Sequence, residues 1–339
     1  MPLVEILVFV GAYVVGMGLF DRDEAREIIE KCISGLKFIK KGRKDNYIYY
    51  QFMTDGKEIK TEKLRLQLED YLGKPVRVFF NRVLTVRVYK KNLPSKWELE
   101  GNEQGICLGY GLDGKVFHDF NKYPHLAIAG STGYGKTNLI QTLMKQFSQN
   151  DEIILIDLKN SREFRGLRSA GTIEEAYNVL GYVDDVMKEG GRDSGRIFVI
   201  IDEAHELIPK SHMTRKEGQI YRECQDIVSK IARMGRSLGV HLIFATQYPT
   251  SDVLPREIKQ NAEARVIFRL PTEVASRVAL DESGAERLPA GLKGRAIYKT
   301  DVYKVIQTPI FSGFEKEEIE NVSFREKKKK RIRDYIEIG

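Results

Sequence analysis

The chain has 339 residues, 42% of them hydrophobic and 30% charged, with a formal net charge of +7. That suffices for one large domain with its own core and a smaller one, and places most of the chain among soluble globular sequences. The cysteines Cys32, Cys107 and Cys224 are scattered, with no CxxC pair and no nearby histidine cluster, which excludes a disulfide framework and a zinc site and fits a reducing cytoplasm. The basic balance points to a polyanionic partner, either nucleic acid or an anionic membrane face.

Residues 3–20 are nearly all apolar, interrupted only by Glu5, with neither a basic n-region nor a small-residue cleavage site. As a helix they would span about 27 Å, against about 30 Å of bilayer hydrocarbon. A short membrane span and a buried or oligomer-facing helix both fit. If the segment spans, Lys37, Lys40, Lys41, Arg43 and Lys44 leave the remainder in the cytoplasm by the positive-inside rule. Residues 21–36 carry helical spacing, with Ala25, Ile28, Ile29, Cys32 and Ile33 on one side. Residues 47–50, 76–80 and 84–89 read as strands and 62–72 as a helix, together a small α+β module. Leu93-Pro94-Ser95-Lys96 marks its boundary.

From about residue 106 strands and helices alternate: strand 125–129, helix 137–147, strand 152–157, helix 173–188, strand 197–202, helix 221–238 and strand 240–246. Buried, β-branched strands alternating with helices imply a parallel α/β sheet. The expected organisation is an apolar segment 1–20, a small α+β module 21–95, an α/β domain 96–312 and a basic tail 313–339. The tail either holds nucleic acid or anionic lipid or is solvated.

Gly130-Ser131-Thr132-Gly133-Tyr134-Gly135-Lys136-Thr137 matches G-x-x-x-x-G-K-[ST] between a strand and a helix, the context a P-loop requires. Its glycines let backbone N–H groups wrap the phosphates of ATP, and the helix N-terminus adds a favourable dipole. Lys136 reaches the β- and γ-phosphates and the Thr137 hydroxyl ligates Mg²⁺. Ile197-Phe198-Val199-Ile200-Ile201-Asp202-Glu203 reads as a Walker B strand: Asp202 would hold Mg²⁺ and Glu203 would act as general base on the attacking water. The strand 240–246 ends at Gln247, which reads either as a γ-phosphate sensor or as a surface amide.

With these motifs in order, residues 106–299 resemble the motor domain of the FtsK/SpoIIIE DNA translocases. The matching pieces include Tyr123-Pro124-His125-Leu126 before the P-loop, Asp157-Leu158-Lys159, Gly239-Val240-His241-Leu242, Ala245-Thr246-Gln247, Glu257-Ile258-Lys259-Gln260-Asn261 and Ser276-Arg277-Val278-Ala279-Leu280-Asp281. Residues 62–87 resemble, more faintly, the adaptor domain that precedes that motor. The resemblance implies a RecA-like P-loop ATPase working as a homo-oligomer, a hexameric ring, with ATP sites between subunits. It puts Arg236 at the trans-acting arginine-finger position, with Arg233 as the fallback, and Arg256, Lys259 and Arg277 at pore-loop positions that touch the DNA backbone. Two residues depart from the pattern, Tyr248 and Glu273, both where basic residues are usual. A C-terminal winged-helix module like that of chromosome-segregating members is not expected. A compact double-stranded DNA translocase of a plasmid, phage or integrative element is the expectation. A conjugative coupling protein or a protein-translocating secretion ATPase of the same motor type is the alternative.

Overall fold

The computed structural model describes residues 24–56, 59–99, 105–192, 194–247, 249 and 261–314. The chain packs as two compact units that part between Asn92 and Leu93. Among the described residues no helix is long and apolar enough to cross a membrane. The apolar segment 3–20 and the tail beyond residue 314 lie outside them.

In the first unit, helix α1 (Glu24–Cys32) is followed by strands β1 (Lys37–Arg43) and β2 (Tyr47–Met53), helix α2 (Thr61–Leu72), and strands β3 (Val76–Asn81) and β4 (Val83–Tyr89). The strands form an antiparallel sheet in the order β1-β2-β4-β3. Period-two alternation sends Tyr50, Phe52, Leu84, Val86 and Val76 to one face, where they meet Ala25 and Ile29 of α1 and Leu64, Leu68 and Leu72 of α2. Gly73 ends α2 in the left-handed region, its N–H bonded to the Glu69 carbonyl. The sequence did not predict β1: its run of cations hides the alternation, and a register shift after Phe38 breaks it again.

The second unit is built on a nine-stranded sheet in the order β6-β5-β13-β12-β11-β7-β10-β9-β8. Strands β7 (Leu126–Ala129), β8 (Glu152–Asp157), β9 (Ile197–Asp202), β10 (Val240–Thr246) and β11 (Ala264–Phe268) run parallel. Every residue of β7, β9 and β10 is buried, as expected of strands covered on both faces. Helix α3 (Lys136–Gln146) packs on one face through Leu139, Ile140 and Leu143. Helices α4 (Ile173–Lys188) and α5 (Glu217–Met234) cover the other face. Helix α6 (Glu273–Leu280) packs with Leu270, Leu288 and Ile297.

The parallel α/β sheet expected from sequence is present, and strands that the sequence reading did not name widen it. Strands β5 (Ile106–Gly111), β6 (Gly114–His118), β12 (Arg295–Lys299) and β13 (Tyr303–Gln307) extend it antiparallel from β11. The helix expected over 221–238 differs. It ends as an α-helix at Met234 and continues as a 3₁₀ turn, Gly235–Leu238. A Cβ at Gly235 would lie 2.4 Å from the Val240 carbonyl oxygen, so only glycine fits where the chain doubles back onto β10. Gly239, left-handed at φ 68°, then releases it into β10.

Candidate nucleotide site

The P-loop connects β7 to α3 and lies at the carboxyl ends of β7, β10 and β9, where open α/β sheets bind ligands. Its first two residues are held from opposite sides. Gly130 N–H donates to the Thr246 carbonyl of β10 at 3.3 Å, and Ser131 N–H donates to the Arg269 carbonyl just past β11 at 2.9 Å. Gly130 sits at φ 154°, and a Cβ there would meet Phe268 Cβ at 2.5 Å, so the loop lies too close to β11 for any side chain. Gly135, at φ 114°, is the N-cap of α3 and leaves the first N–H groups of that helix without side-chain acceptors.

Lys136 is buried. Its Nζ donates to the Gly130 carbonyl at 2.8 Å and stands 4.0 Å from Glu203 Oε1. Burial lowers its pKa from the ordinary value, against the opposing pull of Glu203 and Asp202. Glu203 follows β9 directly, is 4% exposed, and takes the left-handed conformation at φ 54°. A non-glycine residue held there stores backbone strain, which recurs at functional sites. Its Oε2 accepts the Gln247 N–H at 3.1 Å and lies 3.9 Å from Lys159 Nζ and 3.3 Å from His205 Nδ1. Gln247 in turn accepts the Thr132 hydroxyl at its Oε1, 2.5 Å away. A closed circuit therefore runs from P-loop to acid to β10 and back to the P-loop.

Asp202 is buried, and its Oδ1 has no hydrogen-bond partner among the described residues. Burial, then the charges of Glu203 and Asp157, push its carboxyl up to about 7. A buried, unpartnered carboxylate oxygen beside the start of α3, where Thr137 stands half-buried, is a donor set that fits a divalent cation with oxygen ligands.

The predicted residues thus divide. Gly130–Thr137, Asp202, Glu203 and Gln247 converge. Arg236 does not. It is exposed in the 3₁₀ turn before β10, and the length of that strand, roughly 20 Å at about 3.3 Å per residue, separates it from its own P-loop. Arg277 lies on α6 and is exposed, with its Nη2 2.7 Å from Glu273 Oε1, one of the two residues that departed from the family pattern. Arg256 and Lys259 lie outside the described residues, as does Tyr248. Sequence reasoning missed Lys159. It quoted Asp157-Leu158-Lys159 only as a matching piece, and nothing in the local pattern says that the loop after β8 turns a cation onto the acid after β9.

Comparison with known proteins follows the same lines. Residues 121–254 match the family described as AAA domain. Two DNA translocases FtsK are similar in sequence. That of Chlorobaculum tepidum is 27% identical over 271 residues, covering 67% of this chain and 31% of the relative. That of Leptospira interrogans is 30% identical over 261 residues, covering 64% and 26%. The chain therefore spans about a third or less of the length of these curated relatives. Among solved structures, the pCW3 conjugation coupling protein TcpA (monomer form with ATPγS) superposes with a TM-score of 0.60 at 20% identity, covering 89% of this chain and 93% of its own. The cytoplasmic domain of the Thermomonospora curvata type VII secretion ATPase EccC does so with a TM-score of 0.51 at 22% identity, covering 68% and 32%. At those identities the two likenesses establish the fold alone. The converged P-loop and acidic strand end, together with the family match and the sequence relatives, make the chain a P-loop ATPase related to the FtsK translocases.

Proposed function

We propose that this ATPase works as a DNA translocase, a homo-oligomeric ring, a hexamer by analogy with the family, that couples ATP hydrolysis to the movement of double-stranded DNA for a plasmid, phage or integrative element. The observation that carries the reading is the circuit Thr132–Gln247–Glu203–Lys136, because it ties phosphate grip, water activation and β10 into one set of contacts. The P-loop amides and Lys136 would hold the β- and γ-phosphates. Thr137 and Asp202 would hold Mg²⁺, which supplies charge neutralisation between the β- and γ-phosphate oxygens when bound. Glu203 would take the proton of the attacking water and Gln247 would register the γ-phosphate.

Glu203 and Gln247 already bond to each other. A change at the γ-phosphate is therefore passed to β10 and to the segment that follows it, which includes Arg256 and Lys259. Arg236, too far from its own P-loop, is suited to completing a neighbour's site, as a trans-acting cation must. Arg277 joins Arg256 and Lys259 as a candidate contact to the phosphate backbone. The relatives found by sequence carry the name DNA translocase, which favours DNA over a peptide cargo.

The test is ATP hydrolysis with and without linear duplex, in wild type and Lys136→Ala. Duplex is expected to stimulate wild-type turnover several-fold, and Lys136→Ala to abolish turnover in both conditions. Wild-type hydrolysis indifferent to duplex refutes the coupling to DNA while leaving the ATPase intact.

A further inference from the structure

The first unit carries a surface that the ATPase does not use. One face of its sheet is filled by α1 and α2. The other face presents the alternate residues of each strand. Across it run the pairs Gly42–Tyr49, Tyr49–Arg87 and Arg87–Arg77 in one row, and Lys40–Gln51, Gln51–Thr85 and Thr85–Phe79 in the next. Charge is segregated. The strand sequences KFIKKGR, YIYYQFM, VRVFFN and VLTVRVY hold six basic residues and no acid, whereas acids of the unit such as Glu24, Glu27, Glu30, Glu69 and Asp70 sit on the helices.

The face also carries aromatic rings in specific positions. The Arg87 guanidinium stacks 4.8 Å from the Tyr47 ring centroid and 4.6 Å from that of Phe79, bridging the two rings. Among the described residues no carboxylate or carbonyl accepts its N–H groups. Phe79 is 41% exposed, a large apolar ring left in water at the sheet edge. Tyr49 lies flat over Gly42, where a Cβ would come within 2.2 Å of the ring, so the glycine keeps the platform level on that side. Lys37 and Lys40 are exposed on β1 at the opposite edge.

A sheet face of spaced rings interleaved with the cations Arg87, Lys37 and Lys40 has the chemistry that holds unpaired bases. Every base offers a π-face to stack on, and the cations track the phosphates without reading sequence. A duplex hides its base faces and would leave Tyr49 and Phe79 unused. An anionic bilayer would use the cations but would favour apolar side chains over a flat platform with tyrosine hydroxyls and Thr85. We infer that the open face of the β1-β2-β4-β3 sheet binds single-stranded nucleic acid by stacking bases on Tyr47, Tyr49 and Phe79, with phosphates held by Arg87, Lys37 and Lys40. The site is built from residues of the first unit alone, and the P-loop and the duplex contacts proposed above belong to the second, so each can be tested separately.

The experiment uses the full chain without nucleotide, in fluorescence anisotropy with a labelled oligothymidine of about 20 nucleotides, a matching duplex, and phosphatidylglycerol vesicles as competitor. Phe79→Ala is expected to weaken oligothymidine binding about tenfold, the loss of one stacked base, and Arg87→Gln several-fold, the loss of a phosphate contact. They should change duplex binding less than twofold and leave DNA-free ATP hydrolysis unaltered. Because Arg87 is packed between rings, the exposed pair Lys37→Ala/Lys40→Ala serves as the fold-neutral check. It should reduce the salt slope of oligothymidine binding by about 1.4, two phosphates' worth. Lys136→Ala should bind oligothymidine like wild type. The inference is overturned if these variants bind oligothymidine as wild type does, or if they weaken duplex binding equally. It is also overturned if vesicles bind through the same residues while oligothymidine does not bind.

Discussion

Asp202 is a carboxylate kept where its charge is disfavoured: buried, beside two other acids, with one oxygen unpartnered. Its carboxyl is pushed up to about 7, above the unfolded value near 4. A raised carboxyl pKa means that the folded state binds the proton more tightly than the unfolded chain. The stability it contributes is therefore fully present at low pH and is lost as pH rises from about 4 through 7. Above pH 7 without metal, the ionised group costs about 2–4 kcal/mol. Asp202→Asn should therefore raise the nucleotide-free melting temperature at pH 8 by several degrees while abolishing Mg²⁺-dependent hydrolysis. Wild-type Mg²⁺ affinity should fall as pH drops below 7, as the ligand protonates. Calorimetry with and without Mg²⁺ measures both, and a destabilised Asp202→Asn at pH 8 would count against the strained-acid account. Arg277 makes the opposite point about single residues. Its pairing with Glu273 is exposed on both sides and worth little, so a nearby phosphate can take the arginine away.

At the scale of elements, the parts of the fold legible in sequence were those with a full structural reason to look as they do. Strands 152–157, 197–202 and 240–246 and helix 173–188 carry the boundaries read from sequence, because each is a covered strand or a capped amphipathic helix. Thr172 caps α4 reciprocally with Glu175, a signal visible in the letters T-x-x-E. The antiparallel strands β5, β6, β12 and β13 went unread, although Asp113-Gly114 between the first two is a hairpin signal. They are short, and β6 and β13 are partly exposed and mixed in polarity, so their identity comes from the successive antiparallel pairings that start at β11 rather than from their own pattern. The same holds at the site. The P-loop and both acids follow local rules, while Lys159 and the Thr132–Gln247 bond depend on which strands are neighbours. The element that joins the halves is Gly130, packed against β11. Gly130→Ala combines a positive φ with a Cβ inside Phe268 and should cost about 2–4 kcal/mol in addition to losing ATP binding. Gly133→Ala, at φ 80° with nothing within 4 Å of its Cβ, should cost about 1 kcal/mol. Thermal melts of the two variants separate close packing from backbone strain, and equal losses would refute the packing argument.

For the second unit as a whole, the sheet has two chemically different ends. The carboxyl ends of its parallel strands gather acids and cations around the P-loop. The amino ends of β7 and β10 gather His125 and His241, joined by His118 at the end of β6, in a buried aromatic layer. Each ring is used in its neutral form. His241 Nδ1–H donates to the Pro124 carbonyl at 3.0 Å, and His125 Nδ1 accepts the Leu242 N–H at 3.0 Å. His118 Nδ1 is 2.9 Å from the Tyr298 hydroxyl. Burial above all lowers each of the three to about 4, and His241 adds like-charge repulsion to both of the others. Asp119 and Asp151 pull the other way and Arg196 reinforces the shift on His241. With folded values below the unfolded value near 6.5, the unfolded chain takes up protons first. The stability held by neutral rings is therefore complete above pH 6.5 and is lost as pH falls from 6.5 to 4. At pH 5 that amounts to about 2 kcal/mol per histidine, and coupling among the three makes the loss cooperative. The melting temperature should accordingly fall by more than about 10 °C between pH 7.5 and pH 5. His118→Gln keeps a hydrogen-bonding group beside Tyr298 and removes one titrating ring, so it should shrink that interval by about a third. A melting temperature level across this range, or an interval that His118→Gln leaves unchanged, would show that the rings are already solvated and that the layer does not hold the sheet's amino end closed.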